Sequence, residues 1–306
     1  HDITDEDYIQ VWSQSVPGGL PTNQVAPSQS ELKFTTYTLD SALSFDKRYA
    51  SRSRLDVVSK TFTRMAQEIL LKQERTSANL ILTSLANAVT NSKDHVITAG
   101  TAGRFLLDDL NRLFTLAKRI NTSWAAGTPT SRSRGLTDLI VSPEVVQELR
   151  AMAYNPINTK GSPAGGTATD GIAAPEDMRT AIYNSAGIPE FYGVSIMEIN
   201  ELGRGQRFNT IFDNVAGATS FTNAAGGNGA AFDGAADEII IGIDRGRESL
   251  IRAVATDSDT GSEFSLIADD QYSIRQNKIG YFGSLEEGRM VLDTRALVGK
   301  IVSGLA

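Results

Sequence analysis

The chain contains no cysteine and only two histidines, His1 and His95. The first absence excludes disulfides and thiolate metal sites, and it gives no sign of an oxidising compartment. The second leaves no material for a Ser-His-Asp relay or a two-histidine metal centre. No run approaches the roughly 20 apolar residues of a membrane-spanning helix. The opening, His1-Asp2-Ile3-Thr4-Asp5-Glu6-Asp7, is acidic where a secretory leader is basic, so no signal peptide is expected. His1 is not an initiator Met, which suits a processed product or an ordered fragment. Basic excess is also lacking: the formal net charge is −7. That argues against a dedicated nucleic-acid binder, though not against a container whose wall gains by not adhering to nucleic acid inside.

A further absence is local. Neither Gly nor Pro occurs between Pro27 and Gly100, and the middle of that span reads as one long helix, Ser53 to Asn91. Ser53 and Asp56 form an S-x-x-D capping box. Leu55, Val58, Phe62, Met65 and Ile69 share one face. After the polar run Lys72 to Ser77 the apolar series resumes at Ala78, Ile81, Leu82, Leu85 and Val89, about half a turn out of phase. Such a helix, about 57 Å long, suits a strut between two cores or two subunits. The alternative is two helices broken near Lys72 to Ser77.

What surrounds the helix is a mixed α/β pattern in a chain of 306 residues, enough for one large or two ordinary domains. Residues 1–30 read as an extended arm, stopped by Pro17-Gly18-Gly19, Pro21 and Pro27, in which Trp12 favours docking. Residues 31–49 alternate as strand, including Phe34 and Tyr37, with a turn expected at Asp40-Ser41-Ala42. With no evident local partner, they suggest a two-stranded excursion; the alternative is an ordinary sheet edge. A helix is expected over 104–120 and a strand over Leu136 to Val141. Ser142-Pro143-Glu144 then supplies an N-cap, Pro at the first position and a first-turn carboxylate.

Asn155 to Ala174 reads as a long loop, followed by a short helix from Pro175 to Gly187 and a strand over Phe191 to Ile199. Asn214 to Ala236 is Gly/Ala-rich and reads as loop. From Asp237 the chain turns to β, with Ile239 to Ile243 a buried-type strand. Strands are also expected at Ser249 to Ala255, Phe264 to Ala268, Tyr272 to Phe282, Arg289 to Asp293 and, at the end, Ala296 to Val302.

Reactive motifs are incomplete. Asp257-x-Asp259-x-Gly261-x-Glu263 resembles a calcium loop but has Gly at the fifth position and Ala268 at the twelfth, so a solvated turn is expected. Gly203-Arg204-Gly205-Gln206-Arg207 lacks the Lys-Ser/Thr of a phosphate loop and the third Gly of a dinucleotide loop; Arg204 and Arg207 are expected to meet acidic groups on a neighbour. Gly226-Gly227-Asn228-Gly229 opens no helix that would receive a phosphate. No catalytic, cofactor-binding or metal-ligating residue is assigned, no cofactor is expected, and the chain is not expected to be an enzyme.

The order of these parts resembles the major capsid protein of tailed bacteriophages, with the α+β Hong Kong 97-like fold. The resemblance rests on the long helix, on the junction Leu139-Ile140-Val141-Ser142-Pro143-Glu144-Val145-Val146, and on the closing Gln271 to Gly283 with its Gly280-Tyr281 pair and Asp293-Thr294-Arg295-Ala296 run. It implies an N-terminal arm (1–30), an extended β-hairpin loop (31–52), a peripheral domain with the spine helix (53–104 and 241–306) and an axial domain (105–240). It further implies assembly with itself as pentamers and hexamers around double-stranded DNA in a virion formed in the host cytoplasm. Portal, scaffolding and decoration proteins are implied partners, no membrane is involved, and some members lose an N-terminal segment to a maturation protease. Some members cross-link a Lys to an Asn, but Lys33 has no identifiable partner. Trp12, Phe34, Tyr37, Arg204 and Arg207 are expected inter-subunit contacts, with Arg48, Arg52 and Arg54 clustered where they would pair with a neighbour's carboxylates. An encapsulin-type compartment is the alternative on the same fold, and a soluble α/β enzyme the alternative of another class.

Overall fold

A computed structural model describes residues 35–48, 56–90, 93–100, 102–120, 135–151, 190–191, 193–223, 228–256, 261–269 and 277–305. The arm, Phe34, Arg52, Arg54, the 155–174 loop, the 175–187 helix and Asp257 to Thr260 lie outside them. The long helix is present. It runs from Asp56 to Ala86 (α1, 31 residues), about 46 Å at 1.5 Å per residue. The expected start at Ser53 falls outside the described residues. No break occurs at Lys72 to Ser77. Thr76 Oγ1 and Ser77 Oγ donate back to the carbonyls of Lys72 and Gln73, each at 2.9 Å, so the polar run satisfies itself within the helix.

Contacts divide the chain into two units, one spanning Ile81–Ser249 and Asp293–Ala306, the other Leu32–Leu80 and Leu250–Leu292. These cuts fall elsewhere than the segment limits the resemblance implies. Helix α1 contributes to both, and its burial switches face accordingly: Met65 and Gln73 are buried in its first part, Leu82 and Leu85 in its second. The nine residues from 73 to 82 turn the helix through about 900°, half a turn out of phase.

In the unit that holds Leu32–Leu80, strand β1 (Tyr37–Asp46) is continuous; the turn expected at Asp40-Ser41-Ala42 does not form. It pairs antiparallel along its whole length with a late strand, from Tyr37 opposite Glu287 to Asp46 opposite Lys278. That late strand spans Lys278–Val291 without interruption, where two strands, Tyr272 to Phe282 and Arg289 to Asp293, were expected. Its far side pairs with Leu250–Val254 and Ser265–Asp269. Gly283, Leu285 and Glu287 point to one face and are buried. Phe62 of α1 meets the ring of Tyr281 edge-on at 5.0 Å. A Cβ at Gly283 would sit 2.6 Å from Met65 Cε and 2.4 Å from Phe264 Cζ, so this close approach requires glycine.

The other unit is built on an eight-stranded sheet. In chain order its strands are β4 (Val96–Thr98), β5 (Asp138–Val141), β6 (Glu190–Phe191), β7 (Val194–Glu198), β8 (Ser220–Asn223), β9 (Asn228–Ala231), β10 (Asp237–Ile243) and β14 (Leu297–Ser303). The remaining strands are β2 (Val89–Thr90) and β3 (Lys93–Asp94), a separate hairpin, and in the first-described sheet β11 (Leu250–Val254), β12 (Ser265–Asp269) and β13 (Lys278–Val291). The eight strands lie in the order β6-β7-β5-β10-β14-β4-β8-β9. Every residue of β10 is buried, as expected of a central strand covered on both faces. Helices α2 (Leu107–Ile120) and α3 (Pro143–Ala151) share a core with Leu139, Val141, Ile240, Val298 and Val302. The Ser142-Pro143-Glu144 junction forms as expected, with Ser142 Oγ accepting from the Val145 amide at 3.4 Å.

Two further departures occur here. Arg207–Ala216 is a helix (α4), and the Gly/Ala-rich stretch expected to be loop holds β8 and β9. Phe208, Phe212 and Ala216 recur every four residues and form the buried face of α4. The ring of Phe212 contacts Phe221 at 5.9 Å and Phe232 at 4.9 Å. Strand β8 and the residue after β9 therefore carry an aromatic cluster, Phe221 and Phe232 on Phe212, within a stretch whose composition does not announce it.

Candidate assembly surfaces and buried charge clusters

The expected contact residues fall in different surroundings. Trp12, Phe34, Arg52 and Arg54 lie outside the described residues. Arg48 follows β1 and is exposed, its Nε 3.8 Å from Asp46 Oδ1. Arg207 opens α4 and is exposed. Arg204 stands on the preceding loop with its amide bonded to Glu238 Oε1 at 2.9 Å and its Nε 3.8 Å from the same oxygen. Arg204 and Arg207 thus share one loop and helix start, whereas Tyr37 turns inward.

Tyr37 donates its hydroxyl to Glu287 Oε1 at 2.8 Å. Glu287 is fully buried and is met from four elements. Gln73 Nε2 on α1 donates at 3.1 Å, Arg252 Nε on β11 at 2.9 Å, and Arg289 Nε and Nη2 on β13 at 3.1 Å each. Burial pushes this carboxyl up, but the hydrogen bonds from Arg289, Arg252 and Tyr37 together outweigh it and hold it below its ordinary value. The polar residue that seemed to interrupt the helix, Gln73, is therefore one spoke of a carboxylate hub that ties β1, α1, β11 and β13.

The Asp293-Thr294-Arg295-Ala296 run also has a structural task. Asp293 caps a 3-10 turn by accepting from the Arg295 amide at 2.9 Å. Its carboxylate also pairs with Arg247 and with Arg295 Nε. Beside it, His95 is completely buried. His95 Nδ1 lies 3.0 Å from the carbonyl oxygens of both Thr294 and Leu297. Two carbonyl partners require that Nδ1 carry the proton, and burial pushes the imidazole down toward the neutral form.

A third buried charge stands on β14. Lys300 Nζ lies 2.9 Å from Asp109 Oδ1 on α2. Asp109 also accepts from the amides of Gly100 and Leu106. Each cluster fixes one element against another. Among the described residues no three metal-ligating side chains come together, and a cleft of about 580 Å³ beside Phe114 and Val194 brings a single ionisable side chain, Lys118. No described helix is long and apolar enough to cross a membrane.

The hub and the Lys300 pair were absent from the sequence expectations, although both are carried by period two. Ile279, Tyr281, Gly283, Leu285 and Glu287 alternate in one phase, as do Val298, Lys300 and Val302. In each case a charged residue occupies a core position, which is the signal that would have found it.

No protein-family model matches the chain, and no curated protein matches it significantly by sequence. Solved structures do match. The capsid of cyanophage P-SCSP1u is similar with a TM-score of 0.54 at 15% identity, over 97% of this chain and 81% of that one. The mature capsid of bacteriophage PhiM1 gives 0.54 at 13% identity, over 98% and 81%. The holo-SrpI encapsulin complex of Synechococcus elongatus PCC 7942 gives 0.52 at 12% identity, over 91% and 78%. The chain therefore has the α+β, Hong Kong 97-like fold of capsid-type shell proteins. Identity this low establishes the fold and leaves the role to be argued.

Proposed function

We propose that this chain is the major capsid subunit of a tailed bacteriophage, assembling as pentamers and hexamers into an icosahedral shell around double-stranded DNA. The observation that carries the reading is the likeness to two phage capsids over 97% and 98% of the chain. On this reading the arm is 1–30, the extended loop 31–52, the peripheral domain 53–104 with 241–306, and the axial domain 105–240. Portal, scaffolding or decoration proteins are its partners, and the virion is its location after assembly in the host cytoplasm.

The physical logic is consistent. A shell subunit is not an enzyme and needs no reactive site; it needs rigid elements and segments buried on neighbours, a contact repeated across the lattice. The buried charge clusters supply rigidity, and exposed Arg48, Arg204 and Arg207 offer cations to a neighbour's carboxylates. A net charge of −7 keeps packaged DNA from adhering, because phosphate binding depends on neutralising cations.

The encapsulin likeness supports a second reading, a protein compartment that encloses cargo. Electron microscopy of the purified, concentrated chain tests both: closed shells are expected, and a persistent monomer or dimer overturns both. Nuclease-protected DNA in particles from the native source supports the capsid, and enclosed protein without DNA supports the compartment.

A further inference from the structure

The loop that carries Arg204 is held by an unusual arrangement. Glu238, near the start of β10, is fully buried. Its Oε1 accepts from the Arg204 amide at 2.9 Å, and the Ser142 hydroxyl also bonds this carboxyl. Its other oxygen, Oε2, is buried and accepts no hydrogen bond from any described residue. Glu144, in the first turn of α3, likewise has a buried Oε2 without a partner. Both orphan oxygens converge on Gly203: a Cβ there would lie 3.2 Å from Glu144 Oε2 and 3.6 Å from Glu238 Oε2. Gly203 has φ +135°, a conformation left to glycine, so no side chain separates the two carboxyls.

Two buried acceptor oxygens facing one small space, both as carboxylates, carry an uncompensated repulsion and two desolvation costs. Among the described residues the cation facing them is Arg204, with Nε 3.8 Å from Glu238 Oε1. From α3 comes Glu144 itself, at an N-terminus that favours one anion. From β10 the neighbour Asp237 is engaged by the Asp233 amide. From α4 the buried Asn209 bonds the Gly203 amide and the Asp237 carbonyl and is neutral. One guanidinium does not balance two carboxylates.

We infer that Glu238 holds a proton beside Glu144 at neutral pH, and that this proton keeps the 202–206 loop seated on β10. Burial raises the Glu238 carboxyl first and the charge of Glu144 raises it further, against the hydrogen bonds of Ser142 and the Arg204 amide. A carboxyl raised in the folded state contributes stability that is complete below its unfolded value and is lost as pH rises through the folded value. The latch is therefore closed in acid and opens as pH rises through the raised folded value. On the shell reading, which this consequence alone requires, alkali loosens the contacts made by Arg204 and Arg207.

Infrared spectroscopy of the intact chain at neutral pH tests the proton directly, whatever its assembly state, because ordinary carboxyls are ionised there. A protonated carboxyl C=O band is expected in the wild type and absent in Glu238→Gln. Hydrogen exchange reads the latch. Above the pH at which the band disappears, the Arg204 amide is expected to exchange at least about tenfold faster than hydroxide catalysis accounts for, and Glu238→Gln abolishes that excess. Glu144→Gln serves if Glu238→Gln fails to fold, and moves the band's midpoint to lower pH. No band at neutrality, a band that survives Glu238→Gln, or an unmoved midpoint in Glu144→Gln overturns the inference and leaves the shell reading untouched.

Discussion

Lys300 and Asp109 hold each other at 2.9 Å, and neither side chain reaches water: Lys300 is 0% and Asp109 3% exposed. The pair joins β14 to α2 in the middle of the core. A buried pair is expensive to break one-sidedly, because the remaining charge is stranded. Lys300→Met is expected to cost about 3–5 kcal/mol, read as a lower midpoint in denaturant. Lys300→Met with Asp109→Leu should recover much of it. A single mutant as stable as wild type would show that the pair contributes nothing to the fold.

Glu287 predicts an acid-resistant β1 anchor. Its carboxyl is held below its ordinary value, so its stabilising charge is complete above the unfolded value and is lost only as pH falls through the lower folded one. Glu287→Gln leaves Arg289 without its carboxylate, while Arg252 keeps Glu263, and is expected to cost about 1–3 kcal/mol at neutral pH, with the loss shrinking in strong acid. Hydrogen exchange at β1 amides is the readout. Unchanged protection in Glu287→Gln would remove the hub from any role in seating β1.

His95 gives the opposite limb of the pH profile. Burial lowers its folded value, so the unfolded chain binds a proton that the native one refuses. Stability is then complete above the ordinary imidazole value and declines as pH falls below it. His95→Asn, which keeps a donor near Nδ1, should flatten that decline in thermal melts between neutrality and pH ~5. An equally steep decline in the variant assigns the slope to other groups.

Arg207 and the arm test the assembly reading. Arg207→Glu changes an exposed side chain and should alter subunit stability by less than about 0.5 kcal/mol. It is expected to raise the concentration needed for assembly at least about tenfold, roughly 1.4 kcal/mol, by light scattering. Deleting residues 1–30 should abolish assembly and leave circular dichroism of the remaining subunit native-like. Normal shells from either variant would exclude that segment from the contacts.

The two long elements contrast in how far they could be read. Helix α1 was legible because its evidence is local: Phe62, Met65 and Ile69 recur at helical spacing, and no Gly or Pro interrupts. Its polar middle looked like a break because the partner that justifies a buried Gln73, Glu287, lies 214 residues on. Strand β13 was split for the matching reason. The gap between the two expected strands, after Phe282 and before Arg289, holds Glu287, a charge at a core position that is stable only with Arg252, Arg289 and Tyr37 bonded to it. The turn expected in β1 fails likewise, since Asp40 is drawn into the ladder and accepts from the Ser284 hydroxyl at 2.7 Å.

Sequence alone determined what depends on neighbours along the chain. It excluded thiol and histidine chemistry, set the long helix and its half-turn change of face, placed the Ser142-Pro143-Glu144 cap, and carried the resemblance in fold that the solved structures bear out. Tertiary structure alone decided the pairings: β1 with β13, Lys300 with Asp109, the aromatic cluster that turns a Gly/Ala-rich stretch into strands. Backbone periodicity and capping are short-range and leave their mark in local spacing. A buried charge or a strand edge is stable only when its partner arrives, and that partner is chosen by the fold from residues hundreds of positions away.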